Sequence, residues 1–455
     1  MCIRDRGNEG NDAFTVFRNK AALDLSGGTG DDLFLVRAFA LEGSTDTGDY
    51  GEKRTDLVSY VINGTITISG GEGDDHVEVL GTEFADPVVV TDQGVFGMGL
   101  TVQYEEVERL DVDTAEGDDE LYVMSTSALV ETHLFAGLGS DRIGVAGDAP
   151  GVVSQGGIRP AEPGTHTTDA IAGPLFVDGM GGTGTAGVGS PVMLPGETDE
   201  SSQDGTVQAY TGTGAGGATD TMTVLTTALE TVALSLGLPN VSDLAARRYT
   251  LQVSAGAGRG RFWRITGVTD NGDGTSDVTL QNPTVPAPEW GLPAGGSQFR
   301  VTKLSPNFFE AEGERVDFAS VFNDASVSDD TGTLTASRLS GLGMGSDTVI
   351  ASRRLPGGIT YHDLEVLDVT LGSGGDTFFV EGTTKREDFQ VWTLLHTGAG
   401  DDVVTVSLGA DTDGRFALDT GSGDDTVDAS FSSLPLVIFG GTGKDTIEGG
   451  IGHDI

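Results

Sequence analysis

The sequence predicts an all-β protein: a parallel β-solenoid (a β-roll or β-helix of about 22 residues per coil) carrying a small inserted β module. Three observations predict it. Short runs alternate apolar and polar residues, a glycine-aspartate turn recurs ten times in a common frame, and most copies are spaced near 22 residues or twice that.

The turn comes first. "GGTGDDLFLV" (27–36) places three glycines and two aspartates directly before an apolar run. The template G-G-x-G-x-D-x-U-x, with U a large apolar residue, fits fully at 27–35, 70–78 and 440–448, and "GGIGHDI" (449–455) matches as far as it goes. Looser copies start at Gly7, Thr114, Ala136, Leu371, Thr397 and Thr420. The sixth-place residues are Asp12, Asp32, Asp75, Asp119, Asp141, Asp376, Asp402, Asp425, Asp445 and Asp454. Successive intervals are 20, 43, 44 and 22 in the first half, then 26, 23, 20 and 9 in the second. Coils lacking the motif are expected to account for the doubled intervals.

The strands follow each turn. After the aspartate, alternate residues are apolar: Phe34 and Val36, Val77 and Val79, Leu121 and Val123, Phe378 and Val380, Val404 and Val406. A period of two is that of a strand with one face turned to a shared interior. Glycine permits the positive φ that a tight turn between two such strands demands.

Composition limits the partners. The chain has 455 residues, 70 acidic against 25 basic, a formal charge of −45 and 71 glycines. Such an excess makes nucleic acid and anionic membrane surfaces poor partners and cations good ones. No apolar run approaches the roughly 20 residues of a membrane span. Cys2 is the single cysteine, within "MCIRDR", which matches no later repeat, so disulfides do not hold the fold. The chain stops inside a repeat and reads as a fragment of something longer.

Stacking makes the aspartates costly. Neighbouring coils of a parallel solenoid sit about 4.8 Å apart. Like charges at that distance repel by roughly 3.5 kcal/mol at an effective dielectric near 20. A cation between rungs relieves this, and carboxylates with glycine-turn carbonyls suit Ca²⁺. Zinc wants histidine or cysteine, and the six histidines are scattered.

These repeats resemble the hemolysin-type (RTX) calcium-binding repeats of secreted bacterial proteins, in which glycine-aspartate turns hold Ca²⁺ between stacked coils of a parallel β-roll. The resemblance implies that the ten sixth-place aspartates supply side-chain ligands. It also implies that Gly28, Gly30, Gly71, Gly73, Gly441 and Gly443 lie in carbonyl-donating turns. Family arrays run as tandem nonapeptides, and here only 440–455 does, so elsewhere a ladder on a single edge is expected. "GGTGTAG" (181–187) has Ala186 in the aspartate's place, and no ion is expected there.

A second likeness is internal. "GMGLTVQYEEVERLDVDTAEGDDELYV" (97–123) and "GMGSDTVIASRRLPGGITYHDLEVLDVTLGSGGDTFFV" (343–380) read as duplicates, the second with 11 extra residues before its tyrosine. Other stretches, such as "VLGTEFADPVVVTDQG", look like segments of very large repetitive extracellular proteins of aquatic bacteria, which implies a secreted or cell-surface location.

Residues 205–315 form the expected module, between calcium-binding repeats at 7–204 and 316–455. The motif is absent there, and two alternating runs flank "DNGDG", a hairpin signal. An EF-hand is rejected, since Thr269 would take the first ligand place and Leu280 the twelfth. Arg259, Arg261, Trp263 and Arg264 either form a site for a glycan or acidic partner, or brace an acidic neighbour.

Catalysis has little support: there is no G-x-S-x-G, H-E-x-x-H or P-loop. Tyr361-His362-Asp363 corresponds to Tyr104-Glu105-Glu106, so the duplicate keeps the tyrosine and loses the histidine. A packing role is expected for both tyrosines. His76 and His453 are expected in solvent. The expected function is a Ca²⁺-stabilised structural or adhesive segment of a secreted or surface protein, not an enzyme, with glycans or other surface proteins as partners. The alternative is a non-catalytic accessory region of a secreted polysaccharide-active or hydrolytic enzyme.

Overall fold

A computed structural model describes residues 3–39, 60–179, 205–302 and 316–454, apart from 83, 116, 138, 156, 214–217, 248, 256, 258–261, 283–291 and 386–389. These residues fall into two compact units, with 205–302 forming the second.

In the first unit the chain passes back and forth between two sheets of thirteen strands each. Strands Leu23–Thr29, Ile66–Glu72, Glu120–Val123, Arg142–Val145, Phe318–Phe322, Val366–Thr370, Trp392–His396 and Arg415–Asp419 belong to the first sheet. Strands Ala13–Val16, Leu33–Arg37, His76–Leu80, Arg109–Asp113, Glu131–Phe135, Leu175–Asp178, Thr377–Val380, Val403–Val406, Thr426–Asp428 and Thr446–Glu448 belong to the second. Most neighbours are parallel and in register, so an inward residue lies over an inward residue. Phe14 pairs with Phe34, Phe34 with Val77, and Val77 with Leu110. The Phe14 and Phe34 rings stack at 4.9 Å. One apolar core takes side chains from both sheets, among them Phe34, Val77, Leu110, Leu121, Phe378 and Val404. Fully burying each such side chain stabilises the fold by about 1.5–3 kcal/mol.

The sheets are not parallel throughout. Pro87–Thr91, Gly94–Gly97 and Leu100–Glu105 form an antiparallel meander in the first sheet. Thr331–Thr335, Arg338–Gly341 and Ile359–His362 repeat it in the second. The internal duplicates therefore share a topology. Tyr104 donates its hydroxyl hydrogen to the Thr91 carbonyl (2.8 Å) and Tyr361 to the Thr335 carbonyl (2.6 Å), each oxygen belonging to the meander's first strand. Both tyrosines are buried, and burial pushes both phenols up. The 11-residue difference contains the hairpin of Thr348–Ile350 and Arg353–Leu355.

The second unit is a closed antiparallel barrel of Gly205–Thr211, Thr219–Leu225, Thr275–Gln281, Phe262–Asp270, Thr250–Ala255 and Gln298–Thr302. The "DNGDG" hairpin joins two of these strands. The barrel also carries two helices, Thr226–Ser235 and Ser242–Ala246, where the sequence pattern predicts only strands. In the longer helix, Leu229, Val232 and Ala233 are buried at helical spacing.

The chain leaves and rejoins the first unit without disturbing its register. Arg142–Val145 pairs directly with Phe318–Phe322, and Leu175–Asp178 with Ile359–His362. Replacing Gly181–Arg315, the longer segment of the second unit, by a short Gly-Ser linker removes none of these pairs. The shortened chain is therefore expected to keep its far-ultraviolet circular dichroism signature of β structure and a cooperative melt. Loss of both would show that the barrel is part of the first unit's fold.

Candidate functional site

All the sixth-place aspartates but Asp454 stand immediately before strands, and most of them are buried. Asp32, Asp75, Asp119, Asp141, Asp376, Asp402 and Asp425 are at most 2% exposed. Asp12 and Asp445 are half-buried, and Asp454 is exposed. Their carboxylates turn along the stack. The Asp12 N–H donates to Asp32 Oδ1 (2.7 Å), and the Asp32 N–H to Asp75 Oδ1 (2.8 Å). Likewise Asp119 N–H donates to Asp141, Asp376 N–H to Asp402, Asp402 N–H to Asp425, and Asp425 N–H to Asp445. Each rung's acid thus accepts the N–H of the equivalent acid one rung earlier.

The columns are three, not one. Asp12, Asp32 and Asp75 continue to Glu108, before strands of the second sheet. Asp86, Asp119, Asp141, Asp317 and Glu365 form a column before strands of the first sheet. Asp330, Asp376, Asp402, Asp425 and Asp445 form the third, again before the second sheet. The single-edge expectation fails because acids stand before strands of both sheets. Asp454 joins none of them. Its carboxylate accepts the N–H groups of Leu436 (3.1 Å) and Gly450 (3.0 Å).

Sequence reasoning missed Glu108, Glu365, Asp86, Asp317 and Asp330, which lie outside the glycine motif. A signal was present: each is an acid directly preceding a strand, and Glu108 and Glu365 both lie four residues after the duplicated tyrosine.

The fifth-place residues make exposed ladders that run the opposite way. The Asp74 N–H donates to Asp31 Oδ1, Asp424 N–H to Asp401 Oδ1, and Lys444 N–H to Asp424 Oδ1. Basic groups reach this surface: Arg353, on the hairpin within the duplicate's extra residues, bonds Asp74 and also Glu131 (3.2 Å). His76 does not stand free in solvent, since its Nε2 lies 3.0 Å from buried Asp111, which Arg109 also holds.

The second oxygens of the buried acids matter most. Oδ2 of Asp12, Asp32, Asp75, Asp376 and Asp425 is buried without a hydrogen-bond partner among the described residues. The first-place glycine makes room for it. Around the point where a Cβ of Gly27 would sit, Asp32 Oδ2 and the Gly70 carbonyl oxygen both lie within 2.6 Å. Gly7 has Asp12 Oδ2 and the Gly27 oxygen so placed, and Gly70 has Asp75 Oδ2 and the Glu106 oxygen. A carboxylate and a carbonyl oxygen therefore converge on three successive rungs. Where threonine takes the first place, at Thr114 and Thr397, its hydroxyl helps the ionised form of Asp119 and Asp402.

The electrostatics agree. Burial, reinforced by the carboxylates of Asp32, Glu108 and Asp31, pushes Asp75 up to about 6. Burial likewise pushes Asp376 up to about 6 and raises Asp119 and Asp402. Ionised, Asp75 and Asp376 lack compensation on one oxygen, which is costly in a low-dielectric interior.

Two of the glycine carbonyls expected to donate, those of Gly28 and Gly30, are placed otherwise. Gly28 and Gly30 direct their carbonyl oxygens onto Gly71 and Gly73 of the next rung. The Gly421 carbonyl faces Gly441 and accepts the Thr442 N–H, and the Gly423 carbonyl faces Gly443. The carbonyls that meet a carboxylate belong to Gly27, Gly70 and Glu106 instead. Among the described residues no three His, Cys, Asp or Glu side chains gather to hold a metal ion. Each of these three rungs brings together one carboxylate oxygen and one carbonyl oxygen, donors of the hard kind.

Trp263 and Arg264 do not form a surface patch. Trp263 is fully buried in the barrel core, donating its indole N–H to Asn282 Oδ1 (2.8 Å), and Arg264 is 8% exposed. Inward alternation along Phe262–Asp270 puts the indole among the barrel's apolar side chains. Arg259 and Arg261 lie outside the described residues.

The first unit and its site define a β-rich protein whose parallel strands are fastened by columns of buried acids. In comparisons with known proteins, the chain matches no family model and no curated protein.

Proposed function

We propose that this chain is a Ca²⁺-stabilised β-solenoid segment of a secreted or cell-surface protein, acting as stalk, spacer or adhesive body without catalysis of its own. The alternation of the chain between two in-register sheets supports the solenoid. The recurrent unpartnered Oδ2 atoms carry the calcium reading. A cation beside them supplies the positive charge that 25 basic residues cannot give to 70 acidic ones. Asp12, Asp32 and Asp75, with the carbonyls of Gly27, Gly70 and Glu106, are the groups that would hold it. The likeness of the turns to RTX repeats points the same way and suggests export.

Titrating Ca²⁺ into EDTA-treated protein is expected to raise its melting temperature. Asp75→Asn keeps the oxygen that accepts the Asp32 N–H, and its amide nitrogen replaces Oδ2 beside the Glu106 carbonyl as a donor. That variant is expected to melt higher than the parent in EDTA and to respond less to Ca²⁺. Identical melting in EDTA and in millimolar Ca²⁺ would rule the reading out.

A further inference from the structure

We infer that His166 is a pH-operated strap, whose imidazolium ties the turn after strand Arg142–Val145 to the turn after strand Phe318–Phe322. These strands are neighbours in the first sheet, although Asp141 and Asp317 before them are 176 residues apart.

The ring stands between two carboxylates. Nδ1 is 2.8 Å from Asp324 Oδ1 and Nε2 is 3.3 Å from Asp148 Oδ1. An ionised carboxylate only accepts, and a neutral imidazole carries one N–H. Only the imidazolium donates to both. The main chain fixes the ring there: His166 has φ +52°, donates its N–H to the Ala146 carbonyl (2.9 Å), and accepts the Ala325 N–H (2.9 Å). The Phe322 ring lies 5.4 Å away, and Asp148 also accepts the Gly164 N–H (2.9 Å).

Asp324 and Asp148 are the charged groups acting on the imidazole. Asp324 first, and Asp148 after it, hold the ring above its ordinary value against a smaller opposing effect of burial. The Gly164 N–H and His166 in turn hold Asp148 below the usual carboxylate range. A raised histidine contributes its stabilisation in full below its unfolded value and loses it as the pH rises through the folded one. The strap is therefore fastened in mildly acidic solution and released in alkaline solution. None of its members belongs to the acid columns, so it works whether or not those columns hold a cation.

The test uses the full chain with isotope-labelled histidine. One imidazole resonance, absent in His166→Gln, is expected to titrate above the ordinary histidine value of about 6.5. Asp324→Asn should lower that midpoint, and Asp148→Asn should lower it less. Amide exchange at Gly164 and Ala325, corrected for intrinsic rates, should quicken several-fold between pH 6 and pH 8.5 in the parent and stay constant in His166→Gln. A midpoint at or below the ordinary value, or equal protection at both pH values in the parent, overturns the proposal. The Asp324→Asn midpoint serves even if His166→Gln folds poorly.

Discussion

In excess EDTA the protein is expected to melt at a higher temperature at pH 5 than at pH 7, the reverse of ordinary acid denaturation. Asp75 and Asp376 are held up to about 6 in the folded chain, whereas an unfolded aspartate titrates near 3.9. Between those values the folded state binds protons that the unfolded state releases, so stability rises as the pH falls. The gain is complete below about pH 4 and is lost as the pH rises through about 6. Asp119 and Asp402, also raised, add to it. The gain does not continue indefinitely. Burial favours protonation of Asp111, but the bonds from His76 and Arg109 outweigh it and hold this carboxyl low, as those from His133 do for Glu131. Those two lose their contribution as the pH falls through their depressed values, which places the metal-free optimum at about pH 4. Each kcal/mol gained shifts the melt of a large domain by about 2–4 °C. Saturating Ca²⁺ at pH 7 is expected to give a comparable rise, and Ca²⁺ at pH 5 to add little, because a proton and a cation relieve the same oxygen. Calorimetric melts at three pH values with and without Ca²⁺ check this. A metal-free melt that falls steadily from pH 7 to pH 5 would show that the buried acids are already compensated.

Gly71→Ala is expected to destabilise the first unit strongly. Gly71 has φ +115°, outside the left-handed region that other residues tolerate, and a Cβ there would run into the Gly28 carbonyl oxygen. Backbone strain of this kind costs about 1–3 kcal/mol. The collision adds to it, because the obstructing atom is backbone from the neighbouring rung and belongs to a stacked column. Gly272→Ala is the matched control. Gly272 has φ +73° in the barrel hairpin with open space around it, so only the conformational cost of about 1 kcal/mol applies. Chemical denaturation should therefore show a much larger loss for Gly71→Ala. Equal losses would mean that the rungs are not packed at the glycine as described.

Much of the fold is legible in the residues, and the legible part is local. Alternation after each turn marks strands such as Leu33–Arg37 and Val403–Val406, since strand geometry sends successive side chains to opposite faces. The positive φ of Gly28, Gly30, Gly71 and Gly73 is written in the glycine spacing. Tyr104 and Tyr361 align as duplicates by their flanking residues alone, and their hydroxyls reach equivalent carbonyls. The helix Thr226–Ser235 carries no such mark, because its apolar stripe is short and lies between runs of strand period.

The sequence alone therefore determined that turns of glycine and aspartate precede inward-alternating strands, and that the chain is too acidic to neutralise itself. Only the tertiary structure decided where those acids meet. The pairing of Arg142–Val145 with Phe318–Phe322 joins segments far apart in the chain, which no local spacing encodes. The motif precedes the second sheet as far as Asp75, the first sheet at Asp119 and Asp141, and the second sheet again from Asp376, which splits one frame into three columns. Glu108, Asp86, Asp317, Asp330 and Glu365 enter those columns because the parallel register carries an N–H to whichever acid stands before the next strand. Side-chain burial follows from that register as well. A carboxylate that looks exposed in a polar turn is enclosed once another rung stacks on it, and one of its oxygens is left unpaired.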